Sequence, residues 1–408
     1  MVEIYTFVSL FFTVLANWEI INNEISLIQE KIQEEKIIHI ETPENVKSLY
    51  FTSTAIKNKG KKENLIKLAK NTEINSVTID IKTVSWYINF DMPESNFWDI
   101  KPVSNGSIQD PKKLLNQLHE EDIYIIGRVV VFKDKLLAER RNDLAIKTWN
   151  KISVWSDYNW KKYVDPGSQE VWDYNVNIAK TAFEMWFDEI NFDYVRFPTD
   201  GRVHDTYYPF SDKIRSENPK WWNIIVIDKF SNHITSKLNH EVPELKLSAD
   251  IFWLVTNSDL FQIWQNLESF LLYFDYVWPM IYPSHYGAGF LWYKQPDNNP
   301  YEIFTYSLES ASKKIEQLNI EINSAKIENR KINIKWKINA AKDINNIEII
   351  SKNKIRPWIQ GFWCSRCKWA TSYTRNKFRK QIKAIEDTWF NWWWVWSSGS
   401  NYYPEWYD

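Results

Sequence analysis

Acidic side chains in two segments are the strongest candidates for chemistry in this chain. The segment F-D-E-I-N-F-D-Y-V-R-F-P offers three carboxylates and one guanidinium, on Asp188, Glu189, Asp193 and Arg196. The segment L-S-A-D-I-F offers Asp250. Cleavage of an O-glycosidic bond needs one carboxyl group that donates a proton and a second that attacks the sugar or activates water. We predict that Asp193 is the nucleophile or charge stabiliser and that Asp250 is the general acid/base.

Further polar and aromatic side chains follow the other predicted strands and could bind a substrate. The predicted substrate-binding residues are Asp80, Arg128, Arg196, Tyr282, His285, Tyr286, Trp358 and Trp396. Arg128 and Arg196 would keep Asp193 ionised, because a nearby positive charge lowers the pKa of a carboxyl group. Structural alternatives stay open: Asp193 could form an ion pair with either arginine, Asp250 could be a hydrogen-bonding residue of the barrel floor, and His285 could be solvated in its loop. The aromatic rings could belong to ordinary barrel packing.

The sequence predicts neither a metal centre nor a nucleotide cofactor. Its six histidines include no H-x-x-x-H pair, which would place two imidazoles on one face of a helix. No G-x-G-x-x-G or G-x-x-x-x-G-K segment occurs, so the glycine-rich turns that bind phosphates are missing. Cys364 and Cys367, in C-S-R-C, cannot complete a four-ligand zinc site alone. We expect a local disulfide or a free pair of thiols there rather than a redox centre.

Short apolar segments alternate with amphipathic ones from about residue 47 onward, the pattern of βα units and a parallel sheet. The predicted strands are Ser48–Thr52, Ser76–Ile81, Ile123–Val131, Glu189–Asp193, Lys246–Asp250, Tyr276–Tyr282, Ile355–Gln360 and Trp393–Trp396. The predicted helices lie near 63–71, 111–121, 168–185, 219–239, 259–272, 299–318 and 374–388. This succession predicts an α/β fold, a (β/α)8 TIM barrel with reactive groups at the carboxyl ends of its strands. Asp188 precedes the fourth strand, so we expect it at the opposite end.

The predicted organisation has two parts. Residues 1–46 form an N-terminal apolar segment and linker, and residues 47–408 form the barrel, with an insertion at about 319–350 before the seventh strand. The stretch Tyr5–Ala16 is apolar for about the length of a signal-peptide core, although Glu3 precedes it in place of a basic residue. It favours a secreted or cell-envelope location, and a cytoplasmic location stays open. No run reaches the roughly 18 apolar residues of a stable membrane span.

The charge balance points away from nucleic acid as a partner. The chain has 50 basic and 52 acidic residues, with a net charge of −2 and no basic stripe that could neutralise phosphates. The predicted partner is a carbohydrate substrate.

The glycine and tryptophan counts are unusual. The chain has 9 glycines and 24 tryptophans, and tryptophan often occupies positions where the backbone would require glycine. We predict that the gene reads one stop codon as glycine and that tryptophan stands here in its place. The predicted positions are Trp86, Trp149, Trp160, Trp186, Trp253, Trp264, Trp292, Trp363, Trp369, Trp389 and Trp392. The alternative is a tryptophan-rich carbohydrate binder, and Trp155, Trp172, Trp358 and Trp396 are expected to be genuine tryptophans under either interpretation.

Across roughly residues 47–403 the chain resembles a bacterial family of glycoside hydrolase barrels, long filed as a domain of unknown function. The resemblance rests on F-D-E-I-N-F-D-Y-V-R-F-P-T-D-G and on V-T-I-D-I-K, I-Y-I-I-G-R-V-V-V-F-K-D, Y-V-D-P-G-S-Q-E-V-W-D-Y-N, S-A-D-I-F, P-M-I-Y-P-S-H-Y-G, P-D-N-N-P-Y and R-P-W-I-Q. It implies a TIM barrel acting on O-glycosidic bonds, with Asp193 as the key carboxylate. The family pattern has glycine where this chain has Trp186 and Trp253.

Two other barrel types are distantly similar. The fourth strand resembles the chitinase-type signature D-G-x-D-x-D-x-E, but Val195 holds the position of the final glutamate, so that substrate-assisted mechanism is not supported. The acids after strands four and five resemble alpha-amylase-type barrels, although the arginine follows Asp193 by three residues instead of preceding it by two. The sequence thus predicts a hydrolase of poly- or oligosaccharides. The alternative is a non-catalytic barrel that binds cell-envelope glycans.

Overall fold

The computed structural model describes residues 18, 21–22, 39–84, 87–97, 100–258, 263–334, 338–339, 347–368 and 370–407. The chain forms two units, 1–39 and 40–408, and the second contains the barrel. The apolar segment Tyr5–Ala16 lies outside the described residues, as do 335–337 and 340–346 of the predicted insertion. None of the described helices has the length and apolar character needed to cross a membrane.

Eight parallel strands close into a barrel, as the sequence predicted. They are β1 (Lys47–Phe51), β2 (Ser76–Lys82), β3 (Tyr124–Val130), β4 (Glu189–Asp193), β5 (Lys246–Phe252), β6 (Tyr276–Met280), β7 (Trp358–Gln360) and β8 (Trp393–Trp396). Each strand pairs with its neighbours in chain order, and β1 closes the barrel against β8. The carboxyl ends of all eight strands therefore open at one face.

In the part of the chain that the structure describes, seven helices connect these strands and surround the barrel. They are α1 (Lys59–Asn71), α2 (Pro111–His119), α3 (Gln169–Glu184), α4 (Trp222–Glu241), α5 (Leu267–Tyr273), α6 (Pro300–Ile327) and α7 (Arg375–Asp387). Shorter helices are Ser53–Lys57, Lys135–Arg140, Asp212–Glu217 and Leu254–Asn257. Two-residue antiparallel strands pair Lys147–Thr148 with Thr206–Tyr207, and Asn333–Ile334 with Ile338–Asn339. Thus α6 continues into the region predicted as an insertion.

Local sequence explains where the second and third helices begin. Asp110 precedes Pro111, and its carboxylate accepts a hydrogen bond from the backbone N–H of Lys113 at 3.0 Å. Ser168 caps α3 through the N–H of Val171 at 3.4 Å. Such caps satisfy amide groups that the first helical turn leaves without partners.

Alternation along β4 separates the two sides of the barrel wall. Ile190 and Phe192 belong to the hydrophobic core that also contains the surrounding helices. Glu189, Asn191 and Asp193 instead contact side chains of other strands inside the barrel. Because side chains alternate along a strand, these three residues form successive layers from the amino-terminal end of the barrel to its carboxyl-terminal mouth.

Among the described residues, five tryptophans have a left-handed backbone, which bulky L-residues rarely adopt. They are Trp160, Trp186, Trp264, Trp292 and Trp389, with φ between 59° and 79°. All five belong to the set predicted to replace glycine, of which Trp86 and Trp369 lie outside the described residues.

Two of these tryptophans end helices in the same way. After α3, the N–H of Trp186 donates to Phe183 O at 2.8 Å and the next amide donates to Ala182 O at 3.2 Å. The corresponding pair of hydrogen bonds follows α7, with Trp389 in the left-handed position. Glycine is the usual residue at that position of this helix-ending motif.

The other left-handed helix ends provide an internal comparison. Asp122 follows α2 and Asn329 follows α6, each with positive φ. Short polar side chains of this kind tolerate the left-handed region far better than an indole does. The backbone therefore requires the same conformation at four helix ends, and tryptophan is the unsuitable residue at two of them.

Candidate active site

A guanidinium surrounded by carboxylates lies at the carboxyl-terminal mouth of the barrel. Arg128 of β3 contacts three acids there: its Nη1 lies 2.6 Å from Asp80 Oδ1, and its Nε lies 3.2 Å from Asp193 Oδ2 and 3.9 Å from Asp250 Oδ2. We call these four residues the mouth cluster. The side chains of Asp193 and Asp250 thus converge on one nitrogen atom, and the two Oδ2 atoms are separated by no more than the sum of those two distances.

Charges within the mouth cluster are unequal. Three carboxylates face one guanidinium, and all four side chains are buried. Burial alone would lower the pKa of Arg128, but the charges of Asp193 and Asp80 outweigh it and raise that pKa well above the usual value. Arg128 therefore stays protonated, and the cluster has more acids than one cation can neutralise.

Asp193 is held from two sides. Both Nε and Nη2 of Arg128 donate to its Oδ2. The backbone N–H of Tyr194 donates to its Oδ1 at 2.5 Å. Tyr194 has a φ of 54°, a left-handed conformation that is strained for a bulky residue and is concentrated at functional sites. That conformation fixes the orientation of the carboxylate.

Asp250 has a different environment. Its nearest donors are neutral: Trp358 Nε1 at 2.8 Å and Asn191 Nδ2 at 3.2 Å, both to Oδ1. Burial is the largest cause that raises the pKa of Asp250 well above its usual value, followed by the charge of Asp193, and Arg128 opposes both. Asp250 accordingly keeps its proton more readily than an ordinary aspartic acid does.

Aromatic side chains line the mouth cluster. Tyr50 of β1 stacks on Trp396 with ring centroids 3.9 Å apart, and its hydroxyl donates to Asp80 Oδ2 at 2.5 Å. Arg128 lies over the Trp396 ring at 5.2 Å. Tyr282 is buried, and burial followed by the charge of Asp250 raises its pKa. Trp396 is half-buried.

The structure brings together most of the predicted site residues but not all of them. The hydrogen bonds of Arg196 go to other groups: its Nη1 donates to Phe197 O at 3.2 Å and to Thr199 Oγ1 at 3.3 Å, beyond the turn at Tyr194 that follows β4. Its predicted effect on the charge of Asp193 stays a prediction.

Two other predicted substrate-binding residues, Tyr286 and His285, make their contacts outside the mouth cluster. Tyr286 packs against Trp253 and shares a hydrogen bond of 2.8 Å with Ser307 of α6. His285 is exposed, and its ring lies 5.2 Å from that of Tyr282. Tyr286 is therefore oriented toward the surrounding helices, and His285 lies at the edge of the mouth.

Asp188 lies at the amino-terminal side of β4, as the sequence predicted. Its Oδ2 accepts from Ile125 N at 2.7 Å and contacts His119 Nε2 at 3.0 Å, and its Oδ1 accepts from Ile40 N at 2.9 Å. Asp188 therefore holds neighbouring segments together at the amino-terminal end of the barrel and is not part of the mouth cluster.

Sequence reasoning missed Tyr50 and Asn191. Both lie inside strands, whereas most of the predicted site residues lie at strand ends or in the loops after them. Asn191 occurs two residues before Asp193 and therefore faces the same side of β4, a signal that was available. The position of Tyr50 depends on β1 closing against β8, which no local pattern indicates.

The two cysteines form the local disulfide that was one of the expected alternatives. Cys364 and Cys367 are joined, with Cα atoms 5.4 Å apart, in the loop after β7.

Comparisons with a family model and with solved structures agree with this architecture. A family model described as "Putative glycosyl hydrolase domain" matches residues 48–327 and 319–402. The PgaB (BpsB) glycoside hydrolase domain from Bordetella bronchiseptica is similar with a TM-score of 0.58 at 9% identity, over 88% of this chain and 95% of that chain. At that identity the similarity shows the fold alone. No curated protein matches the sequence significantly.

Two further solved structures are similar to parts of this chain. A hypothetical protein from Ruminiclostridium thermocellum is 28% identical, covering 50% of this chain and 96% of that chain, with a TM-score of 0.41. The spore cortex-lytic enzyme SleL from Bacillus cereus is 9% identical, covering 90% of this chain and 74% of that chain, with a TM-score of 0.48. Because the family model covers nearly the whole barrel, the chain belongs to this family of glycosyl hydrolase domains, and its class of activity is the hydrolysis of O-glycosidic bonds.

Proposed function

We propose that this protein cleaves a poly- or oligosaccharide with Asp250 as general acid and Asp193 as the ionised partner. The observation that carries the proposal is the contrast between the two carboxyl groups. Asp193 contacts a guanidinium, whereas the closest donors to Asp250 are an indole and an amide. Environments that push two neighbouring carboxyl groups apart in pKa are the usual way to assign the acid and base roles.

In this mechanism Asp250 gives its proton to the glycosidic oxygen as the bond to the leaving sugar breaks. Asp193 then either attacks the anomeric carbon or removes a proton from the attacking water. Carboxyl separations of about 5–5.5 Å accompany retention and about 6.5–9.5 Å accompany inversion. The upper limit that the Arg128 contacts set on the distance between Asp193 Oδ2 and Asp250 Oδ2 allows the whole first range and part of the second. The anomeric form of the first product therefore decides whether Asp193 is the nucleophile or the base.

Aromatic and charged groups support a carbohydrate as the substrate. The half-buried ring of Trp396 offers a stacking surface beside the acids, and the Tyr282 hydroxyl could position a sugar hydroxyl. We propose a glycan of the cell envelope or of the cell exterior as the target, on the basis of the apolar N-terminal segment in the sequence.

The test is a hydrolysis screen on α- and β-linked bacterial polysaccharides, with reducing-sugar release as the readout and the Asp193→Asn variant as control. Release by the parent alone supports the proposal. Binding of a glycan without release by either protein would favour the non-catalytic alternative.

We further propose that the protein made in its source organism carries glycine at Trp160, Trp186, Trp264, Trp292 and Trp389. Their left-handed backbone supports the recoding of a stop codon beyond composition, because it is the conformation expected where glycine is required. Exposure adds to it: the side chains of Trp160, Trp292 and Trp389 are 78%, 97% and 82% exposed. A large apolar ring with so little burial contributes little to stability.

Peptide mass spectrometry of the protein from its source tests this proposal directly. Peptides that span Trp160 and Trp186 should be lighter by the mass difference between tryptophan and glycine, whereas Trp172 and Trp358 should remain tryptophan. Tryptophan at 160 and 186 would overturn the recoding. The hydrolysis screen should therefore use both the printed sequence and the chain with glycine at these five positions.

A further inference from the structure

The loops that follow β6 and β7 are joined at the edge of the mouth. The backbone N–H of Ser284 donates to Gln360 Oε1 at 3.1 Å, and Gln360 Nε2 donates to Phe362 O at 2.9 Å. The rings of His285 and Phe362 lie 6.2 Å apart. These contacts hold the loop after β6 against the loop after β7, with Gln360 at the end of β7 as the bridge. The positions of the side chains at this junction are therefore fixed by the barrel.

Three metal-ligating side chains meet at this junction. His285 belongs to the loop after β6, and Cys364 and Cys367 belong to the loop after β7. One ring nitrogen of His285 and the two Sγ atoms all lie within 4.8 Å of one another. Cys367 N donates to Cys364 O at 3.1 Å, a tight turn that points both sulfur atoms to one side. The histidine was unrelated to the cysteines in sequence, so spacing alone predicted no metal centre.

We propose that reduction of the Cys364–Cys367 disulfide opens a three-ligand site, formed by the two thiolates and the His285 imidazole, for a soft divalent cation such as Zn²⁺. Two sulfurs and one imidazole nitrogen are a ligand set that Zn²⁺ favours, and three protein ligands leave the fourth tetrahedral position for water or an added ligand. A bound cation would tie the loop after β6 to the loop after β7, beside Tyr282.

An external dithiol is the reductant that opens the site. The disulfide takes up two electrons and two protons from the dithiol, which becomes a cyclic disulfide, and two thiols result. Binding of the cation then displaces one proton from each thiol, so each cation bound releases two protons at a pH below the thiol pKa. The oxidised protein lacks the thiolates and therefore lacks the site.

The experiment is a titration of the full-length protein with Co²⁺, after reduction by a dithiol and its removal under anaerobic conditions. We expect one Co²⁺ per chain, with thiolate-to-cobalt charge-transfer absorption in the near ultraviolet and tetrahedral bands in the visible. Added Zn²⁺ should displace the cobalt and remove these bands. The oxidised protein should show neither.

Matched variants separate the site from incidental binding. Cys364→Ser and Cys367→Ser should abolish the charge-transfer absorption. His285→Ala should weaken Co²⁺ binding by about tenfold or more, because it removes one of three direct ligands and loss of an outer-shell partner alone costs about 10–100-fold. His240→Ala, at another exposed histidine, should bind like the parent. Alkylation of the reduced thiols replaces the serine variants if these do not fold.

An unchanged spectrum in Cys364→Ser, or equal binding by His285→Ala and the parent, would overturn the proposal. The titration uses no glycan, so its failure leaves the proposed hydrolysis untouched, and a protein without hydrolytic activity could still bind the cation.

Discussion

The two ends of the barrel each bury an arginine among acids and aromatic rings, yet only one of them is suited to catalysis. At the amino-terminal end, Arg356 Nη1 donates to Glu189 Oε2 at 2.9 Å, and the Tyr124 hydroxyl donates to the same oxygen at 3.1 Å. Arg356 also lies against the ring of Tyr276. We call these four residues the floor cluster. It pairs one guanidinium with one carboxylate, whereas the mouth cluster sets three carboxylates against one guanidinium.

A shifted pKa does not distinguish the two ends. Burial raises the pKa of Glu189 as it raises the pKa of Asp250. Charge balance does distinguish them, because Arg356 contacts one carboxylate and Arg128 contacts three. Exposure differs as well: Glu189 is 0% exposed, whereas Asp193 is 5% exposed and is followed by the half-buried Tyr194. A perturbed acid is therefore evidence for a catalytic site only where a substrate can reach it and where a second acid lies beside it.

The largest expected effect is the loss of turnover in Asp193→Asn. The amide keeps the shape of the carboxylate but cannot act as nucleophile or base, so kcat/KM should fall by about 10³-fold or more. Arg128 keeps its ion pair with Asp80, and the melting temperature should therefore change little. Steady-state kinetics and thermal melting on the same preparation check both expectations. A variant with parental turnover would remove Asp193 from the chemistry.

The corresponding change at the floor should affect stability instead. Glu189→Gln leaves the buried Arg356 without a negative partner, and breaking a buried pair in this way costs about 3–5 kcal/mol. Denaturant unfolding measures the loss, and turnover per folded molecule should stay at the parental level. The double variant with Arg356→Met should regain much of the stability, because no buried charge is then left alone.

The pH dependence of hydrolysis should follow Asp250. Because burial and Asp193 raise its pKa, the proton needed by the leaving group persists to a higher pH than an ordinary aspartic acid allows. Activity should fall as the pH rises through that raised pKa, and Asp250→Asn should remove this limb while lowering the rate by about 10²–10⁴-fold. A substrate whose leaving group needs no protonation should be cleaved nearly as fast by the variant. Equal losses on both kinds of substrate would argue against the acid role.

The smallest expected effect concerns the tryptophans outside both clusters. Trp389→Gly should stabilise the fold by about 1 kcal/mol, because a left-handed backbone costs an L-residue roughly 1–2 kcal/mol and glycine very little. Trp149 is also exposed, at 67%, but its φ is not positive, so Trp149→Gly is the matched control and should not stabilise. Equal effects of the two substitutions in denaturant unfolding would contradict the backbone explanation.

The sequence predicted the eight strands and the position of the acids because both depend on local patterns. Alternating apolar segments mark the strands, and Asp193 and Asp250 come at the ends of theirs, where a barrel gathers reactive groups. The sequence named two arginines, Arg128 and Arg196, as partners of Asp193, and the structure shows hydrogen bonds to it from Arg128. Arg128 lies inside a strand that packs directly beside β4, whereas the orientation of Arg196 depends on the left-handed turn at Tyr194.

Long-range closure explains what local patterns could not supply. Tyr50 reaches Asp80 because β1 adjoins β2, and it stacks on Trp396 because β1 also adjoins β8. His285 meets the two cysteines because β6 and β7 are neighbours in the barrel. These pairings join residues that are distant in the chain, so only the closed barrel shows them.

The most direct test of the account measures kcat/KM and unfolding free energy for Asp193→Asn and Glu189→Gln side by side, on a substrate found in the hydrolysis screen. We expect opposite outcomes: the mouth variant Asp193→Asn loses turnover and keeps its stability, and the floor variant Glu189→Gln loses stability and keeps its turnover per folded molecule. Parental turnover in Asp193→Asn, or abolished turnover in fully folded Glu189→Gln, would contradict the assignment of catalysis to the mouth cluster.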